Sequence, residues 1–310
     1  MNFVESRIYY THVPLSISEF NKVKKDPEIK ACLDNASLYM IAKREVPSIS
    51  VAENIEIAKL LSDYNSDEYV TLRIELKESA FEIDVAYILP PDFSKNDFIS
   101  SLSGITVEDL FFYFRRNFGS LIWLGEIGPL VTYKMLYVGQ CVDETLTQRF
   151  KAHHALQDML IEEKVISRDD SNADELYLFP CIIKSNVLSL VNGDSSEIDI
   201  YKALTNDFDF GSREIHLDAE KALVHNMNPQ YNGIKFLKYP KSDDGLSNTD
   251  ANAFCYSISE FGIFQYENGL LMGCPNDKYA SKIVGDAEGL TKIYNPGEDV
   301  TKRYFSDYLH

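Results

Sequence analysis

A short apolar strand that ends at a glycine and is followed by a helix constrains the fold more than any other feature. The strand is Met135-Leu136-Tyr137-Val138, and Gly139 ends it. Residues 146–163 have the apolar spacing of a helix, in which Arg149 and His153, four residues apart, share one face. The pattern therefore predicts that a guanidinium and an imidazole lie close to the end of this strand.

A second helix is predicted to open at Asp218-Ala219-Glu220 and to end at Asn228-Pro229, with apolar residues at helical spacing between them. This start places Glu220 in the first turn, where the helix macrodipole favours a carboxylate and where an ordered side chain can hold a metal ion. Asn232-Gly233 follows the helix and indicates a turn, in which Asn232 also has the chemistry to brace a site by hydrogen bonds.

Together these residue types have the chemistry to hydrolyse a phosphodiester, which needs an in-line nucleophile and charge stabilisation on the non-bridging oxygens. Glu220 is suited to hold one Mg²⁺ or Mn²⁺, hard cations that prefer carboxylate and water ligands. Arg149 offers a planar fork that matches two phosphate oxygens. Tyr137 is a candidate general base or water-orienting group, and His153 is a candidate to orient that phenol or to shuttle a proton.

The order of these elements resembles the GIY-YIG endonuclease superfamily over about residues 121–236. Tyr137-Val138-Gly139 stands where that family has its second tripeptide, and Arg149 and His153 stand where its first helix carries an Arg and a His or Tyr. Glu220 begins a stretch that matches the family's glutamate, helix and Pro-x-x-Asn.

The resemblance implies a small mixed sheet flanked by helices and a divalent-metal-dependent endonuclease that uses Mg²⁺ or Mn²⁺. It implies catalytic roles for Tyr137, Arg149, His153 and Glu220, with Glu220 as the metal ligand. The residues expected to support the site are Gly139, Trp123, Tyr133 and Asn232.

The sequence departs from the family at the first tripeptide, which is Gly-Ile-Tyr in the family. Its nearest counterpart within the matched range is Leu121-Ile122-Trp123, and Tyr133 is a competing candidate for the missing phenol. A long stretch also separates His153 from Glu220, which indicates loop insertions around a third strand at residues 176–183.

The predicted fold class is α+β, with the nuclease-like sheet at residues 119–240, an extra N-terminal α+β domain at residues 1–118 and a C-terminal β-rich extension at residues 241–310. Strands are predicted at residues 7–10, 69–76, 81–89, 254–264 and 265–274, and helices at residues 52–61 and 107–118. Asn268-Gly269 is a hairpin-turn signal, and residues 241–252 have the composition of a flexible connector.

The net charge of −18 opposes a nucleic-acid partner, because such affinity usually depends on many Lys and Arg contacts to phosphate. None of the three predicted parts has more basic than acidic residues. Three arrangements reconcile the charge with the site: weak intrinsic binding, a local basic groove, or a partner that delivers the nucleic acid.

The sequence has no apolar run long enough to span a membrane and no basic-then-apolar N-terminal segment, so a cytoplasmic location is expected. The five cysteines are widely spread and form no CxxC pair, which argues against a disulfide framework or a zinc ribbon.

Two functional classes remain. The first is a metal-dependent endonuclease that acts on nucleic acid, with DNA favoured over RNA and with defence or restriction as a setting known for the family. The second is a catalytically degraded nuclease fold that serves as a nucleic-acid or protein binding module. A protein partner or self-association through the N- or C-terminal region is compatible with both, and no membrane partner is expected.

Overall fold

The computed structural model describes residues 1–116, 119–152, 154–163, 174–191, 195–205, 207–241, 244–286 and 289–297. The strands in these ranges are β1 (Asn2–Tyr10), β2 (Leu15–Ser16), β3 (Leu38–Glu45), β4 (Ser48–Val51), β5 (Tyr69–Leu76), β6 (Phe81–Ile88), β7 (Ser120–Trp123), β8 (Thr132–Gln140), β9 (Asp174–Ser189), β10 (Ala253–Ile258), β11 (Gly262–Tyr266), β12 (Gly269–Gly273), β13 (Lys282–Asp286) and β14 (Thr291–Tyr294).

The α-helices in the same ranges are α1 (Ile17–Val23), α2 (Pro27–Asp34), α3 (Ile55–Leu60), α4 (Lys95–Ser101), α5 (Val107–Arg115), α6 (Leu146–Arg149), α7 (His154–Glu162), α8 (Glu197–Thr205) and α9 (Ser212–Met227). Four short 3₁₀ turns accompany them, at Leu102–Gly104, Gly128–Val131, Phe150–Ala152 and Asp277–Tyr279. The predicted α+β class is confirmed.

Most strands belong to one mixed sheet of ten strands in the order β12-β11-β8-β3-β9-β1-β10-β13-β14, with β2 paired to β9. Strand β3 lies antiparallel between β8 and β9, whereas β1 runs parallel to β10 and β11 runs parallel to β8. This sheet is larger than the small sheet expected from the family resemblance. It takes strands from all three sequence parts, so the boundaries at residues 118 and 240 do not coincide with its edges.

A second sheet of four strands, β4-β5-β6-β7, lies between β3 and β8 in the sequence. Residues 46–131 therefore separate two strands that are direct neighbours in space. Arg44 at the end of β3 forms a buried ion pair of 2.6 Å with Glu108 on α5, which joins this inserted part to the large sheet. The chain leaves the large sheet after β3 and returns to it at β8, so these two strands pair although the insertion lies between them.

Strand β3 shows how the large sheet divides two hydrophobic layers. Leu38, Met40 and Ala42 face one layer, in which helix α9 packs, because side chains alternate along a strand. Tyr39 and Ile41 face the opposite layer, which also contains apolar residues of α1, α2, α6 and α7. A strand segment buried on both faces is expected to be a continuous apolar run, as residues 38–42 of β3 are.

The helix predicted at residues 146–163 is interrupted. Helix α6 ends at Arg149, a 3₁₀ turn covers Phe150–Ala152, and α7 begins at His154. His153, one of the predicted catalytic residues, lies outside the described residues, so its expected position on the same helical face as Arg149 stays a prediction.

The predicted start of the helix that carries Glu220 is wrong. Helix α9 begins at Ser212, because the Glu214 carboxylate accepts a hydrogen bond of 2.9 Å from the Gly211 N–H and so caps the first turn upstream. Glu220 consequently lies in the middle of α9, where the macrodipole does not account for it. The predicted end is confirmed, since Asn228 has a left-handed conformation with φ of 49° and closes the helix.

The remaining predicted elements are found with shifted ends. The predicted strand at residues 254–264 is divided into β10 and β11, and β11 pairs with β12 in an antiparallel hairpin around the predicted turn. The predicted third strand extends to the full length of β9. Within the described ranges, no helix is both long enough and apolar enough to cross a membrane.

Candidate active site

Two tyrosines on neighbouring strands form the centre of the candidate site. Tyr39 at the start of β3 lies opposite Gly139 near the end of β8, and its ring stacks on that of Tyr137 at a centroid distance of 5.8 Å. Tyr39 is fully buried, whereas Tyr137 is partly exposed. Burial raises the pKa of the Tyr39 phenol well above its ordinary value, so this hydroxyl stays protonated at neutral pH.

Gly139 allows the two rings to lie across strand β8. A Cβ atom at this position would lie 2.6 Å from the Cζ and hydroxyl oxygen of Tyr39 and 2.8 Å from Cε1 of Tyr137. Such distances are shorter than van der Waals contact, so any side chain at this position would displace one ring. The glycine of the Tyr137-Val138-Gly139 motif therefore has a direct structural function in packing the two tyrosines.

Arg149 lies at the end of α6, whose first turn is capped by the Thr145 side chain. Its guanidinium donates a hydrogen bond of 2.8 Å to the Glu144 carboxylate and also bonds to the Tyr39 hydroxyl. The Glu144 carboxylate raises the pKa of Arg149 above its ordinary value. The Arg149 side chain is still 41% exposed, so an anion in solvent can approach it.

Glu220 on α9 is close enough to Arg149 for their charges to interact. Burial raises the pKa of the Glu220 carboxyl to about 7, and the charges of Arg149 and Lys221 partly oppose this increase. Within the described residues, no hydrogen bond or ion pair to this carboxylate is found. A carboxylate that is partly desolvated and unpaired gains more than most from binding a cation.

The same charges influence the pKa of the Cys141 thiol, which lies just beyond β8. Its pKa is raised to about 12 by burial, with Arg149 opposing and Glu144 and Glu220 adding to the increase. Arg149, Glu144 and Glu220 are thus all close enough to Cys141 to influence one group. Since α6 and α9 are distant in sequence, their charges meet only because the chain returns to the end of β8.

Asn232, which is expected to support the site, forms two hydrogen bonds with strand β8 next to Tyr137. Its side-chain oxygen accepts a hydrogen bond of 3.0 Å from the Val138 N–H, and its side-chain nitrogen donates one of 2.7 Å to the Val138 carbonyl. The Tyr231 N–H donates to the Leu136 carbonyl at 3.0 Å. These bonds pair backbone N–H and C=O groups of β8 beyond the residues that pair with β11, and they hold the backbone on both sides of Tyr137.

Trp123 and Tyr133 do not take the place of the missing phenol, and that interpretation is wrong. Trp123 lies on β7 in the four-stranded sheet, where its ring contacts Phe111 and Phe114. The Tyr133 hydroxyl is buried and donates a hydrogen bond of 2.7 Å to Glu108 at the joint between the two sheets. Both side chains serve packing in other parts of the fold.

The aromatic beside Tyr137 is Tyr39, which the sequence interpretation missed. It lies far upstream of the range that resembles the family, because residues 46–131 intervene between β3 and β8. A signal was present in the sequence, since a leucine precedes the tyrosine and further apolar residues follow it in both strands, in Leu38-Tyr39-Met40 and in Leu136-Tyr137-Val138.

Among the described residues, no group of three or more His, Cys, Asp or Glu side chains is arranged to hold a metal ion. A divalent cation at this site would therefore depend on Glu220 as its protein ligand, with the rest of its coordination from water and phosphate oxygens. Mg²⁺ is commonly bound in this way, since it keeps several waters and uses one or two carboxylates. The donor chemistry fits the implied metal.

Comparison with models of protein families, with curated proteins and with solved structures found no match.

Proposed function

We propose that this chain is a divalent-metal-dependent endonuclease of the GIY-YIG type, which hydrolyses phosphodiester bonds in nucleic acid, with DNA as the favoured substrate. The observation that supports this most strongly is the convergence of Tyr39, Tyr137, Arg149 and Glu220 at the end of β8, where β3 and α9 come from parts of the sequence far from β8 and α6. The guanidinium is suited to stabilise charge on the phosphate, the carboxylate to hold a divalent cation, and the phenols to orient water, which are functions that serve phosphodiester hydrolysis.

In this proposal, Arg149 binds two non-bridging oxygens of the scissile phosphate. The guanidinium is held by the buried Tyr39 hydroxyl, which accepts a hydrogen bond from it, and by the Glu144 carboxylate. A phosphate that approaches from solvent replaces Glu144, while Arg149 keeps its hydrogen bond to Tyr39. The planar fork then faces the oxygens on which negative charge increases during the reaction.

Tyr137 orients the attacking water, because it is the partly exposed member of the tyrosine pair. Asn232 keeps this side chain in place through the Val138 backbone. Glu220 holds the divalent cation, which supplies Lewis-acid stabilisation of the phosphate when bound.

The test is the substitution Arg149→Lys, with cleavage rate and equilibrium binding measured on the same substrate. Lysine keeps the charge and loses the bidentate fork, so we expect the rate to fall on the order of 10²-fold while the dissociation constant changes little. Arg213→Lys is the matched control, because Arg213 is an exposed residue on α9 that pairs with Asp143. Equal rates for wild type and Arg149→Lys would remove Arg149 from the mechanism.

The binding-module alternative is favoured by one observation, the ion pair between Arg149 and Glu144. If that pair is permanent, Arg149 stabilises the fold and does not meet phosphate. A pure binder has no transition state to stabilise, so Arg149→Lys would then change only affinity. The absence of wild-type cleavage on both DNA and RNA, with Mg²⁺ or Mn²⁺, would decide for this alternative.

A further inference from the structure

One stretch of this acidic chain is entirely free of carboxylates. Residues 221–241 contain no Asp or Glu, although the chain as a whole has a net charge of −18. The basic side chains of this stretch are Lys221, His225, Lys235, Lys238 and Lys241. The stretch begins at the residue next to Glu220 and continues past Asn232, and its first lysine, Lys221, forms an ion pair with Asp244.

Residues 233–241 fold into a loop that forms a groove with α9. The groove has a volume of about 390 Å³, and its lining includes Lys221 of α9 and Ile234, Leu237, Lys238 and Lys241 of the loop. Lys238 and Lys241 are exposed. In the part of the chain that the structure describes, no carboxylate forms an ion pair with Lys235, Lys238 or Lys241. We name residues 233–241 the basic loop.

The basic loop is held firmly on α9. The Phe236 carbonyl accepts hydrogen bonds from the Tyr239 N–H at 2.8 Å and from Nδ1 of His225 at 2.9 Å. The Tyr239 hydroxyl donates to the fully buried carboxylate of Asp218 at 2.8 Å. Because these anchors lie on the helix that carries Glu220, the loop keeps a fixed position relative to the candidate site.

Two large apolar side chains project from the same loop. Ile234 is 70% exposed and Leu237 is 85% exposed. Leucine and isoleucine at nucleic-acid interfaces insert against unstacked bases, while neighbouring lysines neutralise phosphates. The alternation of exposed lysines and exposed aliphatic residues fits a flexible polyanion that also has apolar faces.

We propose that the basic loop is the binding site for the nucleic-acid strand that enters the active site. Lys238 and Lys241 contact its phosphates, and Ile234 and Leu237 contact its bases. The inference rests on the nuclease function proposed above, and it names the local basic groove that reconciles an acidic protein with a polyanionic substrate. A negatively charged surface elsewhere then restricts binding to this one groove.

The test measures binding of a labelled duplex and a labelled single-stranded DNA as a function of salt. The full-length chain carries Glu220→Gln in every sample, without divalent metal, so that no strand is cut. Each phosphate contact contributes about 0.9 to the slope of log affinity against log salt on duplex DNA. Lys238→Gln with Lys241→Gln removes two contacts, so the slope should decrease by about 1.8. Between 50 and 200 mM salt, the factor by which affinity falls should therefore be about 12 times smaller for this variant than for the chain that keeps both lysines.

Lys59→Gln with Lys77→Gln is the matched control. Both lysines are exposed residues of the four-stranded sheet region, so the pair makes the same change in net charge away from the groove. A second variant, Ile234→Ser with Leu237→Ser, should reduce affinity for the single strand by about tenfold or more without changing the salt slope. This pair of results separates phosphate contacts from base contacts.

Equal slopes and affinities for the Lys238/Lys241 variant and the control variant would overturn the inference, and nuclease activity of the wild type would then still stand. Failure of the Glu220→Gln chain to bind any nucleic acid, together with failure of the wild type to cleave any, would overturn the proposed function as well as the inference. Binding to vesicles of anionic phospholipid, with no binding to DNA or RNA, would instead make the basic loop a membrane-contacting surface and would also overturn the inference.

Discussion

The substitution Glu220→Gln is expected to stabilise the fold at alkaline pH while it abolishes cleavage. The Glu220 carboxyl has a pKa raised from 4.5 to about 7 by burial. Below pH 4.5 it is protonated in both the folded and the unfolded chain, so it contributes no difference. Between pH 4.5 and 7 the unfolded chain ionises Glu220 while the folded chain keeps the proton, so the free energy of unfolding falls as pH rises.

The size of this effect follows from the shift. A difference of about 2.5 pKa units, at about 1.36 kcal/mol for each unit, corresponds to on the order of 3 kcal/mol of lost stability above pH 7. Glutamine keeps the shape of the side chain and never ionises, so the variant avoids this loss. Glu220→Gln should therefore unfold at higher urea concentration than wild type at pH 8 and at the same concentration near pH 4.

Glu214→Gln is the matched control on the same helix. The Glu214 carboxylate accepts the Gly211 N–H, which lowers its pKa below 4.5. Its contribution to stability is present above pH 4.5 and is lost as pH falls, so Glu214→Gln should destabilise the protein at pH 8. A Glu220→Gln protein that is as stable as wild type at pH 8, or less stable, would refute the assignment of Glu220 as a desolvated and unpaired carboxylate.

Three further substitutions test the packing of the site. Gly139→Ala should destabilise the fold by about 1 to 3 kcal/mol in urea unfolding and reduce cleavage strongly, because the new Cβ overlaps the Tyr39 ring; unchanged cleavage would contradict this. Tyr39→Phe should cost about 1 kcal/mol of stability and slow cleavage by about tenfold, since it removes the hydroxyl that holds Arg149, whereas Trp123→Phe should leave the rate unchanged. Glu144→Gln should tighten substrate binding severalfold by releasing Arg149 from its ion pair, and weaker binding in an anisotropy titration would contradict that role.

The elements around the site were predictable from the sequence because local patterns specify them. Strand β8, the end of α9 at Asn228 and the bracing role of Asn232 all follow from apolar runs, turn residues and amide chemistry within a few residues. The start of α9 is not predictable in the same way, because Asp218 and Glu220 have the residue types of a helix first turn although they lie within the helix. Asp218 is in fact a buried acceptor for Tyr239 and Tyr256.

Tyr39 was not predictable from spacing, since its neighbour Tyr137 follows an inserted sheet. Motif searches assume short connections between paired strands, and residues 46–131 break that assumption. The large sheet was underestimated for a similar reason. Strands β1 and β10 come from opposite ends of the chain and pair in parallel, and no local pattern predicts which distant strands will meet. The basic loop is not apparent from the net charge of a long range of sequence, because acidic residues outside the loop outnumber its lysines.

Metal-dependent cleavage by wild type beside Glu220→Gln tests the central claim most directly. Supercoiled plasmid, linear duplex, single-stranded DNA and RNA would each be incubated with Mg²⁺, with Mn²⁺ and with chelator, and Glu214→Gln would control for changes on the same helix. We predict cleavage by wild type and by Glu214→Gln only when a divalent cation is present, and none by Glu220→Gln. Undiminished metal-dependent cleavage by Glu220→Gln would contradict the account.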